Sequence, residues 1–220
     1  MSDRSPTTSR ARRGLVPAAG ETTLGEVATV HGGYAFRSGV TDDPDGDVRV
    51  LQLGDIDAQG RVDPETLTQM AFGKRAAKHT LESDDVLLTA RGERVLALRV
   101  PDADPIVAAA GLLVIRPKAV LDSDYLCWYL NHPRTRQRLE RLREGSNLKF
   151  LERGSVEGLP IAVPEIAVQH EIAGRHADQQ RRSALRLALN AVDERIIDET
   201  NWQRARRSVA SAADTLDSET

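Results

Sequence analysis

Apolar residues fall in short runs over the first 165 positions or so, and then the period changes. Val48-Arg49-Val50-Leu51-Gln52-Leu53 partly alternates, carries β-branched residues and stops at the turn pair Gly54-Asp55. Val86-Leu87-Leu88-Thr89 follows Asp84-Asp85 and stops before Arg91-Gly92. The run from Val95 to Val100 ends at Pro101, and Ile106 to Ala109 begins after Pro105. Gly111-Leu112-Leu113-Val114-Ile115 then runs into Arg116-Pro117. Runs this short, punctuated by Gly and Pro, predict strands of a twisted, largely antiparallel sheet. Two helices interrupt them. Asp122 or Ser123 can cap a helix through Leu130, and Pro133 suits the first turn of a second helix that reaches Arg143 and stops at Gly145-Ser146-Asn147.

From Gln169 to Arg207 there is no proline, and Gly174 is the only glycine. Ala, Leu, Arg, Gln and Glu dominate, so this stretch predicts one long helix. Leu185, Leu189, Val192 and Ile196 are spaced four, three, four, the a/d seam of a coiled coil, and Ile172 extends the stripe upstream. At ~1.5 Å per residue the helix would be about 58 Å long. A domain of about 140 residues has a radius of gyration near 14 Å, so part of the stripe needs another partner. Self-complementary antiparallel pairing in a two-fold dimer is the simplest. The expected division is a disordered arm over 1–22, a β-rich domain over 23–165, a spacer and dimerisation helix over 166–208 and a disordered tail over 209–220. The fold class is α+β, a β-rich domain with peripheral helices followed by a long C-terminal coiled-coil helix.

Composition removes several function classes. Of 220 residues, 40% are hydrophobic and 29% charged, enough for a core, but aromatics at 4% are too few for rows of base-stacking platforms. One cysteine, Cys127, leaves no internal disulfide and no multi-cysteine zinc site. The five histidines are scattered, and His170 and His176 lack the i, i+4 spacing of a ligand pair, so no metal is expected. No phosphate loop, dinucleotide fingerprint or nucleophile elbow is present, which points away from an enzyme. No apolar run approaches a membrane span, and no apolar stretch follows the N-terminal arginines as in a secretory signal, so a cytoplasmic location is the default. The net charge of −3 hides a polarised distribution. Residues 40–65 hold eight acids and two bases, whereas residues 131–153 hold seven bases and three acids.

The order of these signals resembles the target-recognition half of a type I restriction–modification specificity subunit. Leu24-Gly25-Glu26-Val27 followed by His31-Gly32-Gly33-Tyr34-Ala35-Phe36 is similar to the family's opening helix and glycine turn. Val50-Leu51-Gln52-Leu53-Gly54-Asp55-Ile56 resembles its first core strand, and Ser83-Asp84-Asp85-Val86-Leu87-Leu88-Thr89-Ala90-Arg91-Gly92 its "gDvLlt-x-rG" segment. Tyr125-Leu126 through Leu130-Asn131, then Gly145-Ser146, resemble its "YL…L" helix and the turn after it. Leu159-Pro160-Ile161-Ala162-Val163-Pro164 with Gln169 and Ile172-Ala173 is similar to the entry into its spacer helix, although Glu165 replaces the second proline and Val168 the usual Glu. The family typically carries two recognition domains and two spacer helices, and this chain has one of each.

The resemblance implies a non-catalytic, sequence-specific binder of double-stranded DNA in a DNA-methylating, phage-defence complex. It would dimerise through Ile172, Leu185, Leu189, Val192 and Ile196 and dock a methyltransferase subunit that supplies S-adenosylmethionine, with a restriction or translocase subunit as a further partner. A homodimer would then favour a symmetric, interrupted target. Lys74, Arg75 and Lys78, in a loop before a strand, are candidate DNA contacts or an ordinary solvated loop. Arg91 and Arg94 flank Gly92 and can fork onto phosphate or guanine, or Arg91 can pair with Asp84 or Asp85. Arg143, Ser146, Asn147 and Lys149 cluster at the Gly145 turn, where Asn147 can instead cap the turn. The acids of 40–65 are expected to face away from DNA. The competing reading is a coiled-coil adaptor whose β-rich domain binds protein.

Overall fold

A computed structural model describes residues 21–73, 76–100, 105–144 and 150–217. It divides into two units, Met1–Ala173 and Gly174–Thr220. In the first unit, strand β1 (Glu21–Thr23) leads into the short helix α1 (Leu24–Val27) and strand β2 (Ala28–Gly32). Strands β3 (Val48–Leu51) and β4 (Thr68–Met70) precede the one-turn helix α2 (Ala76–His79). Then come β5 (Val86–Thr89), β6 (Ala97–Arg99), β7 (Ile106–Ala108) and β8 (Leu112–Pro117). Helices α3 (Ser123–Asn131), α4 (Pro133–Glu144) and α5 (Arg153–Glu157) and strand β9 (Pro160–Ala162) complete the domain before helix α6 (Ile166–Asp217). The architecture is α+β, as the residue pattern predicts.

The strand pairing is largely antiparallel, as expected, but it is divided among more than one sheet. Among the described residues the strands sort into an antiparallel sheet β2-β8-β5-β6, a mixed sheet β4-β3-β7 and the pair β1-β9. Strand β3 pairs in parallel with β7, which aligns Val50 with Val107. Alternation explains the sorting. Val86 and Leu88 of β5 and Leu113 and Ile115 of β8 face a core covered by Leu126, Leu130 and Leu139 of the helices. The intervening Leu87, Leu112 and Val114 turn the other way, onto Leu51, Ile106 and Ala108 of the second sheet. That sheet in turn buries Val48, Val50 and Val107 on its far face, against Tyr34, Phe36 and Phe72. Strands covered on both faces read as unbroken apolar runs, so their sequences carry no sign of which sheet they join.

Residues 21 and 22, assigned to the disordered arm, belong to β1 and pair with β9, Thr22 opposite Ile161. The closure is contributed from the far end of the domain, where Leu24 N–H also donates to the Leu159 carbonyl at 2.8 Å. Residues 1–20 lie outside the described residues. Helix α6 likewise continues to Asp217, past the expected end at residue 208, because neither Gly nor Pro interrupts Ser208–Asp217. Its start is fixed by Gln169, which is fully buried. The Gln169 amide accepts from Asp122 N–H at 2.8 Å and donates to the carbonyls of Val120 (2.9 Å) and Pro164 (2.7 Å). Asp122 is the residue that caps α3, accepting from Tyr125 N–H at 2.8 Å.

Gly33 sits where β2 runs out against the end of β7. A Cβ there would lie 2.1 Å from the Ala109 carbonyl oxygen, whereas one at Gly32 would meet nothing within 4 Å. Gly33→Ala should therefore cost about 2 kcal/mol through forced backbone displacement, and Gly32→Ala should be close to neutral. Thermal unfolding of the two variants side by side checks this. Equal midpoints would remove the packing account.

Candidate nucleic-acid interface

β3, β5 and β7 all end, and β8 begins, at one end of the stacked sheets, because Leu51 pairs with Ala108 and Thr89 with Leu112. The turn after β5 is located here. Arg91, Gly92, Glu93 and Arg94 are all exposed on it. Gly92 adopts φ +91°, the left-handed region, with Leu53 packed beneath it. Arg91 lies over the ring of Phe150 at 5.6 Å, a cation–π contact. Arg94 reaches the Ala58 carbonyl at 3.5 Å.

Arg91 does not pair with the acids that precede β5. Asp84 bonds Arg99 at 3.7 Å. Asp85, fully buried, receives both Nε (2.7 Å) and Nη2 (2.8 Å) of Arg116 and the backbone N–H of Glu82 at 2.8 Å. The hydrogen bonds to Asp85 push the Arg116 guanidinium pKa above its ordinary value. Ion pairing within the domain therefore leaves Arg91 and Arg94 presented outward.

Arg143 is bonded to the same turn. Its Nη1 donates to the Gly92 carbonyl at 2.5 Å and its Nη2 to the Glu93 carbonyl at 3.2 Å, and Nη2 also meets Glu140 at 2.6 Å. With a side chain only 16% exposed, it is committed to the turn rather than to solvent. Thr135 and Leu139 bury the inner face of α4, and this brings Arg143 over the turn. Arg134 and Arg141 remain exposed.

Lys78 is exposed on α2, next to His79, whose ring joins an edge-to-face cluster with Tyr34 (4.8 Å) and Phe72 (6.0 Å). Lys74, Arg75, Ser146, Asn147 and Lys149 lie outside the described residues. Arg143 and Phe150, on either side of residues 145–149, both contact the 91–94 turn.

The acidic stretch meets the turn through Leu53 and the Ala58 carbonyl. Its carboxylates organise backbone. Asp47 accepts from Phe72 N–H (2.5 Å) and Gly73 N–H (2.9 Å), and Asp57 from Gln59 and Arg61 N–H, both at 2.8 Å. Those backbone bonds lower the pKa of both groups. Asp-rich loops before strands carry this signal in sequence, since Asp side chains favour bonding to nearby N–H groups. Charge counting overlooked it.

Burial pushes the Cys127 thiol up to about 11, so it stays protonated at neutral pH. Among the described residues no group of three His, Cys, Asp or Glu is placed to hold a metal, and no helix is long and apolar enough to cross a membrane.

Neither a protein-family model nor a curated protein sequence matches the chain. Solved structures do match. The HsdS subunit from Thermoanaerobacter tengcongensis aligns over 81% of this chain at 19% identity and a TM-score of 0.57. A chain from a structural study of complex assembly and conformational transition of the type I R-M system aligns over 80% at 21% identity and a TM-score of 0.51. The chain has an HsdS-type fold. It spans 42% of the length of each of these two structures. The resemblance drawn from residue order is thus reproduced in three dimensions.

In the second unit the seam residues are open. Leu185 is 70% exposed, Leu189 61%, Val192 41% and Ile196 59%. Ile172, assigned to the same seam, is instead half-buried and packs on the helical core of the first unit. Sequence periodicity could not separate it from the seam, since an apolar residue at helical spacing suits either neighbour.

Proposed function

We propose that this chain is a DNA-specificity module of a type I-like restriction–modification complex. In this reading the β-rich domain reads one half-site, α6 pairs with a second copy, and methyltransferase subunits dock on the pair. The observation that carries the reading is an HsdS-type fold over two-fifths of the matched chains, ending in a helix with an exposed apolar seam. Catalysis is assigned to the partner, which would bring S-adenosylmethionine.

Charge supports antiparallel pairing. Setting Leu189 against the second copy's Val192 also places Leu185 against its Ile196, and continues the register to Arg182 against its Glu199. Arg186 then lies near the second copy's Asp193. Parallel pairing would put Arg182 on Arg182 and Glu199 on Glu199, which repel. Leu187, Ile197 and Trp202 are 71%, 58% and 63% exposed. At ~100° per residue they fall outside the seam, which suits further subunits on the same helices.

The test is duplex DNA binding by the full chain, alone and with a methyltransferase subunit, over a range of salt. Affinity should fall linearly on a log–log plot as salt rises. Arg91→Ala with Arg94→Ala should reduce that slope by roughly 0.9 for each phosphate left unbound. Absence of duplex binding would favour the adaptor reading, and binding untouched by the double variant would move the DNA contacts away from Arg91 and Arg94. Methylation mapping in a host without a second specificity chain should reveal a symmetric, interrupted motif.

A further inference from the structure

The turn that presents Arg91 and Arg94 is braced to a degree that an exposed loop does not need. Five backbone groups in succession are held by side chains. The Gly92 and Glu93 carbonyls accept from Arg143. The Arg94 carbonyl accepts from Thr89 Oγ1 at 2.8 Å, and the same oxygen accepts from Leu96 N–H at 2.8 Å. Val95 N–H donates to Glu140 Oε1 at 3.1 Å. Glu140 and Arg143 are themselves ion-paired one helical turn apart on α4. The polarity is matched throughout, guanidinium to carbonyl and carboxylate to N–H.

Water would satisfy the Gly92 and Glu93 carbonyls at the exposed part of the turn, and fixing two long side chains there costs conformational entropy. The bracing therefore does more than pair polar atoms, since it sets the turn in one conformation. We infer that Glu140 and Arg143 are positioning residues, which hold the Gly92–Leu96 backbone so that Arg91 and Arg94 meet DNA from a fixed frame. This rests on the DNA-reading function proposed above. Preorganised contacts discriminate between targets because a mismatched site cannot be met by adjusting the loop.

The experiment selects preferred duplexes from a randomised pool with the full-length chain, then compares their affinity with scrambled duplexes for wild type, Arg143→Lys and Glu140→Gln. Lysine keeps the charge but cannot fork across two carbonyls. Arg143→Lys should lower the preference for selected over scrambled duplex about tenfold. It should also speed amide exchange at Val95, leave the salt slope unchanged and add nothing on an Arg91→Ala, Arg94→Ala background. Glu140→Gln retains an acceptor for Val95 N–H and loses the ion pair, so about a threefold loss is expected. It carries the test if Arg143→Lys unfolds at the assay temperature. Unchanged discrimination in both variants despite faster Val95 exchange would overturn the inference. So would a salt slope lower by about one with a loss that persists on the double-alanine background, since Arg143 would then touch phosphate itself. A wild-type chain that enriches no duplex would overturn the DNA reading and this inference together, and would be seen before any variant is made.

Discussion

Arg116→Met should destabilise the first unit by about 3–5 kcal/mol, because it strips both guanidinium bonds from a fully buried carboxylate, Asp85. In a chain of this size such a loss lowers the thermal midpoint by roughly 10 °C. Asp85 then keeps the Glu82 N–H, a single neutral donor, in an interior that solvates charge poorly. Two further variants separate this cause from loss of packing. Asp85→Asn on the Arg116→Met background should recover most of the stability, since the buried charge is gone and the amide oxygen still accepts from Glu82. Glu82→Gln should change little, because the Glu82 partner of Arg116 is 64% exposed. A midpoint for Arg116→Met within a degree or two of wild type would sink the account.

The second large effect concerns self-association. Leu189→Glu with Val192→Glu should convert the proposed two-fold pair to single chains. Four apolar side chains would be lost from the seam across the two copies, about 6 kcal/mol, or roughly four orders of magnitude in the dissociation constant. Sedimentation or light scattering reads the outcome as a halved mass. Because the seam residues are exposed in the second unit, folding of the first should be unaffected, and its thermal midpoint serves as the control. A wild-type chain already monomeric at micromolar concentration would remove the dimer from the proposal. A dimer indifferent to the double variant would move its interface elsewhere. Arg182→Glu with Glu199→Arg should leave the antiparallel register intact, since the cross-pair is only exchanged.

These variants probe different levels of the same molecule. Asp85 stands in one of the segments that resemble type I specificity subunits, and the structure gives that Asp a physical role, since it bonds Arg116 and closes the turn before β5. Gln169 stands in another of these segments and joins α3, the loop before α6 and α6 itself through its amide. Both positions are polar residues that a buried site must satisfy completely.

Several features were legible from the residues alone. Gly and Pro punctuation and apolar runs located β3, β5, β7 and β8, the cap at Asp122 located α3, and the absence of Gly and Pro located α6. Those signals are local, so they survive any tertiary arrangement. The a/d spacing from Leu185 to Ile196 is local in the same sense. What tertiary structure decided was every choice between equivalent neighbours. The parallel pairing of β3 with β7 and the division into separate sheets depend on which covered face meets which, and an apolar run is silent on that. Arg143 joined the turn and Ile172 the domain core, while Asp84 and Asp85 took Arg99 and Arg116 and left Arg91 outward. Each of these outcomes is set by distances of a few ångströms between residues far apart in the chain, and no pattern of residue types along it encodes such distances.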